Sequence, residues 1–93
     1  MSLHQTAQWL VTYDIANPRR LARVFKHLKK EGVPMQYSVF AVDGSNAKMG
    51  ALMAHLGALI DLREDDVRAY RLPDSGWRAT LGAAMLPEEL WLA

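Results

Sequence analysis

Cysteine is absent from the 93 residues, which excludes disulfides and thiolate metal sites and fits a reducing cytoplasm. No apolar run is long enough to cross a bilayer, so no membrane partner is expected, and the opening MSLHQTAQ lacks the apolar core of a signal peptide. Histidine is scarce: His4, His27 and His55 share no metal-ligand spacing and read as surface residues. There is no GxSxG elbow, no Walker loop and no GxGxxG, and no serine has a histidine and an aspartate close by in sequence. Triad hydrolases, P-loop enzymes, dinucleotide enzymes and zinc proteases are therefore all without their usual residues. Internal repeats, low-complexity stretches and linkers are also missing.

What is present reads as a globular chain, 51% hydrophobic and 23% charged. Residues 1–93 fit one small domain whose core is modest, so association with a second copy would add stability. Residues 1–7 read as a flexible leader, in part an expression remnant. The net charge of +1 hides an asymmetry: residues 1–42 carry a net +4 and residues 43–93 a net −3. Arg19, Arg20, Arg23, Lys26, Lys29 and Lys30 supply the basic half. Clustered cations are the footprint of a polyanion partner, and a solvated helix face explains them equally well.

QWLVTYDI (8–15) is apolar on both faces, with Trp9, Val11 and Tyr13 on one side and Leu10 and Thr12 on the other, as a buried central strand requires. Asn17 as N-cap and Pro18 in the first turn start a helix. Leu21, Val24, Phe25 and Leu28 then form one apolar stripe, and Gly32 and Pro34 end it. MQYSVFAVD (35–43) is strand-like, Asp43-Gly44 signals a turn, and Ser45 caps a second helix striped by Met49, Leu52, Met53, Leu56, Leu59 and Ile60. LREDD (62–66) is a loop in which an acidic turn is usually solvated. VRAYRL (67–72) is a third strand, WRATL (77–81) pairs back as a hairpin, and ELWLA (89–93) is a last short strand. The order predicts a two-layer α/β sandwich of the α+β kind, an antiparallel sheet with both helices on one face. The ferredoxin-like topology is the small candidate, provided residues 34–43 supply two strands or one sharply kinked strand.

Asp14 is the residue with chemistry to explain. A carboxylate at the carboxyl end of a buried strand stands where α/β sheets bind ligands, and Mg²⁺ takes one or two carboxylates plus water and substrate phosphate. The alternative is a carboxylate favoured by the dipole of the following helix. One carboxylate per chain is thin for a phosphodiesterase, and a twofold dimer would bring two together.

YDIANPRRLARVFKHLKKEGVPMQYSVF (13–40) resembles the signature of the CRISPR-associated protein 2 family: Tyr13-Asp14 at a strand end, Arg19, Arg20 and Arg23, Gly32, then Gln36-Tyr37-Ser38-Val39-Phe40. The resemblance implies a ferredoxin-like homodimer whose C-terminal strand is exchanged with the partner. It implies Asp14 as metal ligand for Mg²⁺ or Mn²⁺, with Asp14, Tyr13 and Phe40 at the catalytic site. Arg19, Arg20, Arg23 and Lys26 would hold phosphates beside it. It implies a cytoplasmic endonuclease on single-stranded RNA or double-stranded DNA, and a partnership with the CRISPR integrase in spacer acquisition. The chain departs from the pattern at Pro34, often basic in the family, and at Ala41, often acidic. Tyr13 and Phe40 also suit an ordinary core, and Ser38 a hydrogen bond within the sheet. Two other readings stand beside the enzyme: a DNA-binding scaffold without chemistry, and a toxin-type ribonuclease resembling virulence-associated protein D.

Overall fold

The structure, a computed structural model, describes residues 5–73. The expected hairpin at 77–81 and terminal strand at 89–93 lie outside the described residues. The element order is β1 (Thr6–Asp14), α1 (Pro18–Glu31), β2 (Val33–Gln36), β3 (Val39–Ser45), α2 (Asn46–Leu59) and β4 (Asp66–Arg71). The four strands form one sheet in the order β2-β3-β1-β4, antiparallel at each pairing. This is the ferredoxin-like arrangement, with β1 central as its two-sided apolar pattern requires.

Both helices cover one face. Val24 and Leu28 of α1 and Met49, Leu52 and Leu56 of α2 pack on Val11 and Tyr13 of β1 and Phe40 and Val42 of β3. The other face carries Leu10, Val39 and Leu72, with Met35, Ala41 and Tyr70 against them. Each fully buried large side chain, such as Leu10, Phe40 or Leu56, contributes about 1.5–3 kcal/mol by leaving water.

The local signals at α1 hold. The Asn17 side chain accepts from the backbone N–H of Arg19 at 2.9 Å and of Arg20 at 3.1 Å, and Pro18 occupies the first turn, where no N–H is needed. Ser45 caps α2 through the Lys48 N–H at 3.0 Å. Other expectations change. Residues 33–45 form two strands, joined by a turn at Tyr37-Ser38 in which Ser38 takes a left-handed φ of 58°. Asp43-Gly44 is not a turn; both pair within β3, where the Gly44 carbonyl accepts the Trp9 indole N–H at 3.0 Å. The central strand begins at Thr6, not Gln8, and Ala7 is buried, so the ordered chain reaches into the leader expected over residues 1–7. No helix among the described residues is long and apolar enough to cross a membrane.

Candidate active site and nucleic-acid interface

Four pieces of backbone meet at the carboxyl end of β1. The ladder to β4 runs to its last pair, Asp14 opposite Asp66. On the other side the Tyr13 N–H donates to the Ser38 carbonyl at 3.1 Å, which ties the β2–β3 turn to the residue before Asp14. The N-terminus of α1 follows three residues later. Asp14 alternates with Leu10 and Thr12, so it lies on the helix-free face of the sheet.

Asp14 is exposed, and its side chain makes no hydrogen bond or ion pair with any described residue. The helix N-terminus is capped by Asn17, and the first turn of α1 contains no acidic residue. The dipole reading of Asp14 thus has no bond to support it. Asp66, opposite, pairs instead with Arg68 at 2.8 Å. Among the described residues no three metal-ligating side chains converge. One chain therefore offers a single uncommitted carboxylate at this point.

Tyr13 and Phe40 sit behind that carboxylate, not beside it. Tyr13 is buried, and burial pushes its phenol pKa up, so it stays protonated. Its ring lies 6.1 Å from that of Phe40, which also meets Phe25 edge-on at 5.5 Å. At 1% exposure, Phe40 offers no face on which a base could stack. It helps line an apolar groove between α1 and the β2–β3 turn, together with Leu21, Phe25, Met35 and Tyr37. Tyr37, 89% exposed, is the most accessible aromatic ring lining the groove, and Phe25 is also exposed there.

Apart from the exposed Lys29, the basic residues of α1 divide into two groups. Arg19, Arg23, Lys26 and Lys30 are spaced four, three and four residues apart, which places them on one helical face opposite Val24 and Leu28. All four are exposed and none pairs with a described residue. Arg20 points elsewhere. Its Nε donates to Asp65 Oδ2 at 2.7 Å, and its terminal nitrogen to Asp65 Oδ1 at 3.2 Å and Glu64 Oε2 at 3.1 Å.

Sequence reasoning missed Asp65. The acidic turn was expected to be solvated, yet the Asp65 side chain is fully buried. Besides Arg20 it accepts the N–H of Ala16 at 2.9 Å and of Asp61 at 2.8 Å. The Arg20 guanidinium, with these backbone donors, holds its carboxyl well below the usual carboxylate range. His27 and His55, expected as separate surface residues, stack at 4.0 Å between α1 and α2, beside a Glu31–Lys48 ion pair of 3.6 Å.

Pro34 and Ala41 fall where their identities suit the fold. Pro34 is exposed on the edge strand β2, where a missing N–H costs least. Ala41 sits partly buried against the apolar cluster on the face away from α1 and α2, where a carboxylate would meet Leu10 and Val39.

Residues 7–80 match the family described as CRISPR associated protein Cas2. A protein of Nitrosomonas europaea named CRISPR-associated endoribonuclease Cas2 1 is 40% identical over 82 residues, covering 88% of this chain and 78% of its own. One of Thermodesulfovibrio yellowstonii, CRISPR-associated endoribonuclease Cas2 2, is 40% identical over 74 residues, 80% of this chain and 81% of its own. The solved structure of Streptococcus pyogenes Cas2 superposes with a TM-score of 0.73 at 30% identity, over 82% of this chain and 96% of that one.

Proposed function

This chain belongs to the CRISPR-associated protein Cas2 family, and on that premise we propose that it is a metal-dependent endonuclease that works as a homodimer with the CRISPR integrase in spacer acquisition. The observation that carries the reading is Asp14: a carboxylate at the end of the central strand, exposed and unpaired among the described residues, in a chain whose following helix carries a basic stripe that is also unpaired among those residues.

Asp14 and its copy in a second chain would hold Mg²⁺ or Mn²⁺. One exposed carboxylate per chain on the helix-free face suits that division, because a hard cation takes one or two carboxylates and completes its shell with water and phosphate. When bound, the metal supplies a Lewis acid and a more acidic water. Arg19, Arg23 and Lys26 grip the backbone phosphates and fix the scissile bond near Asp14, and their charge favours the developing negative charge on phosphate oxygens. Tyr13 and Phe40 support this arrangement from within the core. The substrate is single-stranded RNA or double-stranded DNA, read through its backbone, in the cytoplasm.

The test uses the full chain with labelled single-stranded RNA and double-stranded DNA, with Mg²⁺, with Mn²⁺ and with a chelator, beside sedimentation of the free protein. Metal-dependent cleavage by a dimer supports the reading. Binding of both nucleic acids with no cleavage under any metal favours the scaffold, and cleavage insensitive to chelator contradicts the metal.

A further inference from the structure

We propose that Arg20 and Asp65 form an internal clamp that positions Asp14, and that Arg20, unlike Arg19 and Arg23, does not contact nucleic acid. The positioning half of this inference rests on the reading of Asp14 as the reactive carboxylate; the half about Arg20 does not.

The argument begins with donors and acceptors. A carboxylate has about four lone-pair sites. Asp65 Oδ1 accepts from Ala16 N–H and Arg20, and Oδ2 accepts from Asp61 N–H and Arg20 Nε. All four sites are used, inside a side chain with no solvent exposure. Arg20 is similarly committed. A guanidinium grips a phosphate through two parallel N–H groups on one edge. The edge formed by Nε and Nη2 is on Asp65, and the second hydrogen of Nη2 is on Glu64. Neither fork through Nη2 is left for a phosphate, and the side chain is only 21% exposed while Arg19 and Arg23 are exposed.

The geometry of what is clamped gives the role. Ala16 lies two residues after Asp14, in the turn between β1 and α1. Arg20 lies in the first turn of α1. Asp61 follows α2, and Asp65 immediately precedes Asp66, the ladder partner of Asp14. One buried carboxylate therefore joins both chain segments that flank Asp14, and it does so through charge-assisted bonds, the strong kind. A buried ion pair is weak evidence for stability, but separating its partners leaves an uncompensated buried charge, so the pair resists rearrangement. Partners that hydrogen-bond a ligating side chain change affinity or rate by roughly 10–100-fold when removed; the clamp acts one step further out, through the backbone beside Asp14, so the low end of that range is expected.

The experiment uses the full chain and four variants, Arg19→Ala, Arg20→Ala, Arg20→Lys and Asp65→Asn. Three quantities are read: the slope of log affinity for double-stranded DNA against log salt, hydrogen exchange at the Ala16 amide, and kcat and KM for cleavage with Mg²⁺. Arg19→Ala should lower the salt slope by roughly 1, the value for one phosphate contact. Arg20→Ala should leave the slope unchanged, and Asp65→Asn, which frees the Arg20 charge, should leave it unchanged or raise it. Arg20→Ala leaves the Asp65 carboxylate free to turn from Ala16, and Asp65→Asn halves its acceptor oxygens, so both should speed exchange at the Ala16 amide and lower kcat by up to roughly 10-fold with little change in KM. Arg20→Lys keeps the charge but not the fork, so it folds with a cation in place and should still lose Ala16 protection and kcat.

A drop in slope for Arg20→Ala equal to that of Arg19→Ala overturns the inference. So does an Arg20→Lys protein with parental kcat and Ala16 protection. If the parent does not cleave, the reading of Asp14 as reactive carboxylate fails, while the salt slope and the Ala16 amide still decide whether Arg20 is a clamp.

Discussion

Asp14 and Asp66 face each other as the last pair of the β1–β4 ladder. Like charges directly opposite on adjacent strands repel, by about 0.2–1 kcal/mol. Arg68 offsets the charge of Asp66 and nothing described offsets that of Asp14. Asp14→Asn should therefore leave the fold intact and raise stability slightly, by a few tenths of a kcal/mol, with the gain shrinking as salt screens the pair. Urea titrations at low and high salt measure it. A loss of more than about 1 kcal/mol would mean that Asp14 has a structural role the geometry does not show.

The exposed stripe of α1 predicts how binding responds to salt. Replacing Arg19, Arg23 and Lys26 together by alanine should flatten the log–log salt dependence on double-stranded DNA by roughly 3, about 0.9 for each phosphate released. The three side chains are exposed and unpaired, so the midpoint of urea unfolding should hardly move. An unchanged slope would place the interface on another face.

Gly32 is required by close approach. Its φ of −159° is ordinary extended backbone, but a Cβ there would meet the Ala41 carbonyl and lie 2.8 Å from a Val42 methyl. Backbone on the neighbouring strand cannot swing aside as a side chain can. Gly32→Ala should shift β3 and cost about 1–3 kcal/mol, the usual range for overpacking. Gly50→Ala on α2, where nothing lies within 4 Å, is the control and should stabilise if anything.

The stacked histidines predict a loss of stability on acidification. Burial lowers the pKa of His27 first, and the charge of His55 and of Lys30 lowers it further, while Glu31 pulls the other way. The unfolded chain then takes up the proton at a higher pH than the folded one. Stability is complete above the ordinary histidine value of about 6.5 and falls as pH drops through it toward the lower folded value. His27→Gln should flatten this dependence. Equal losses for parent and variant between about pH 7.5 and 5 would assign the effect elsewhere.

The fold was largely legible because its signals are local. Asn17 and Pro18 start α1, Ser45 starts α2, and the two-sided apolar run at 8–15 marks the central strand. The Tyr37-Ser38 turn was not legible: it contains neither glycine nor asparagine, and the apolar alternation runs straight through it. Asp14 was singled out by its place at a strand end, but the six cations of α1 were read as one basic surface, without the division between the outward stripe and Arg20. The clamp was not legible, because Arg20 and Asp65 are 45 residues apart and LREDD carries no local sign of burial. The opposition of Asp14 and Asp66 likewise exists only through strand register. Phe40 was read either as shaping the cleft or as core, and long-range packing buries it while it still lines the groove beside α1.

The central claim is that Asp14 carries metal-dependent cleavage while the α1 stripe carries binding. It is tested most directly by measuring Mg²⁺-dependent cleavage and binding affinity on the same nucleic acid for the parent and for Asp14→Asn. The account predicts that cleavage disappears while affinity is unchanged or slightly improved, since a negative charge near phosphate has been removed. Cleavage by Asp14→Asn at the parental rate would contradict it.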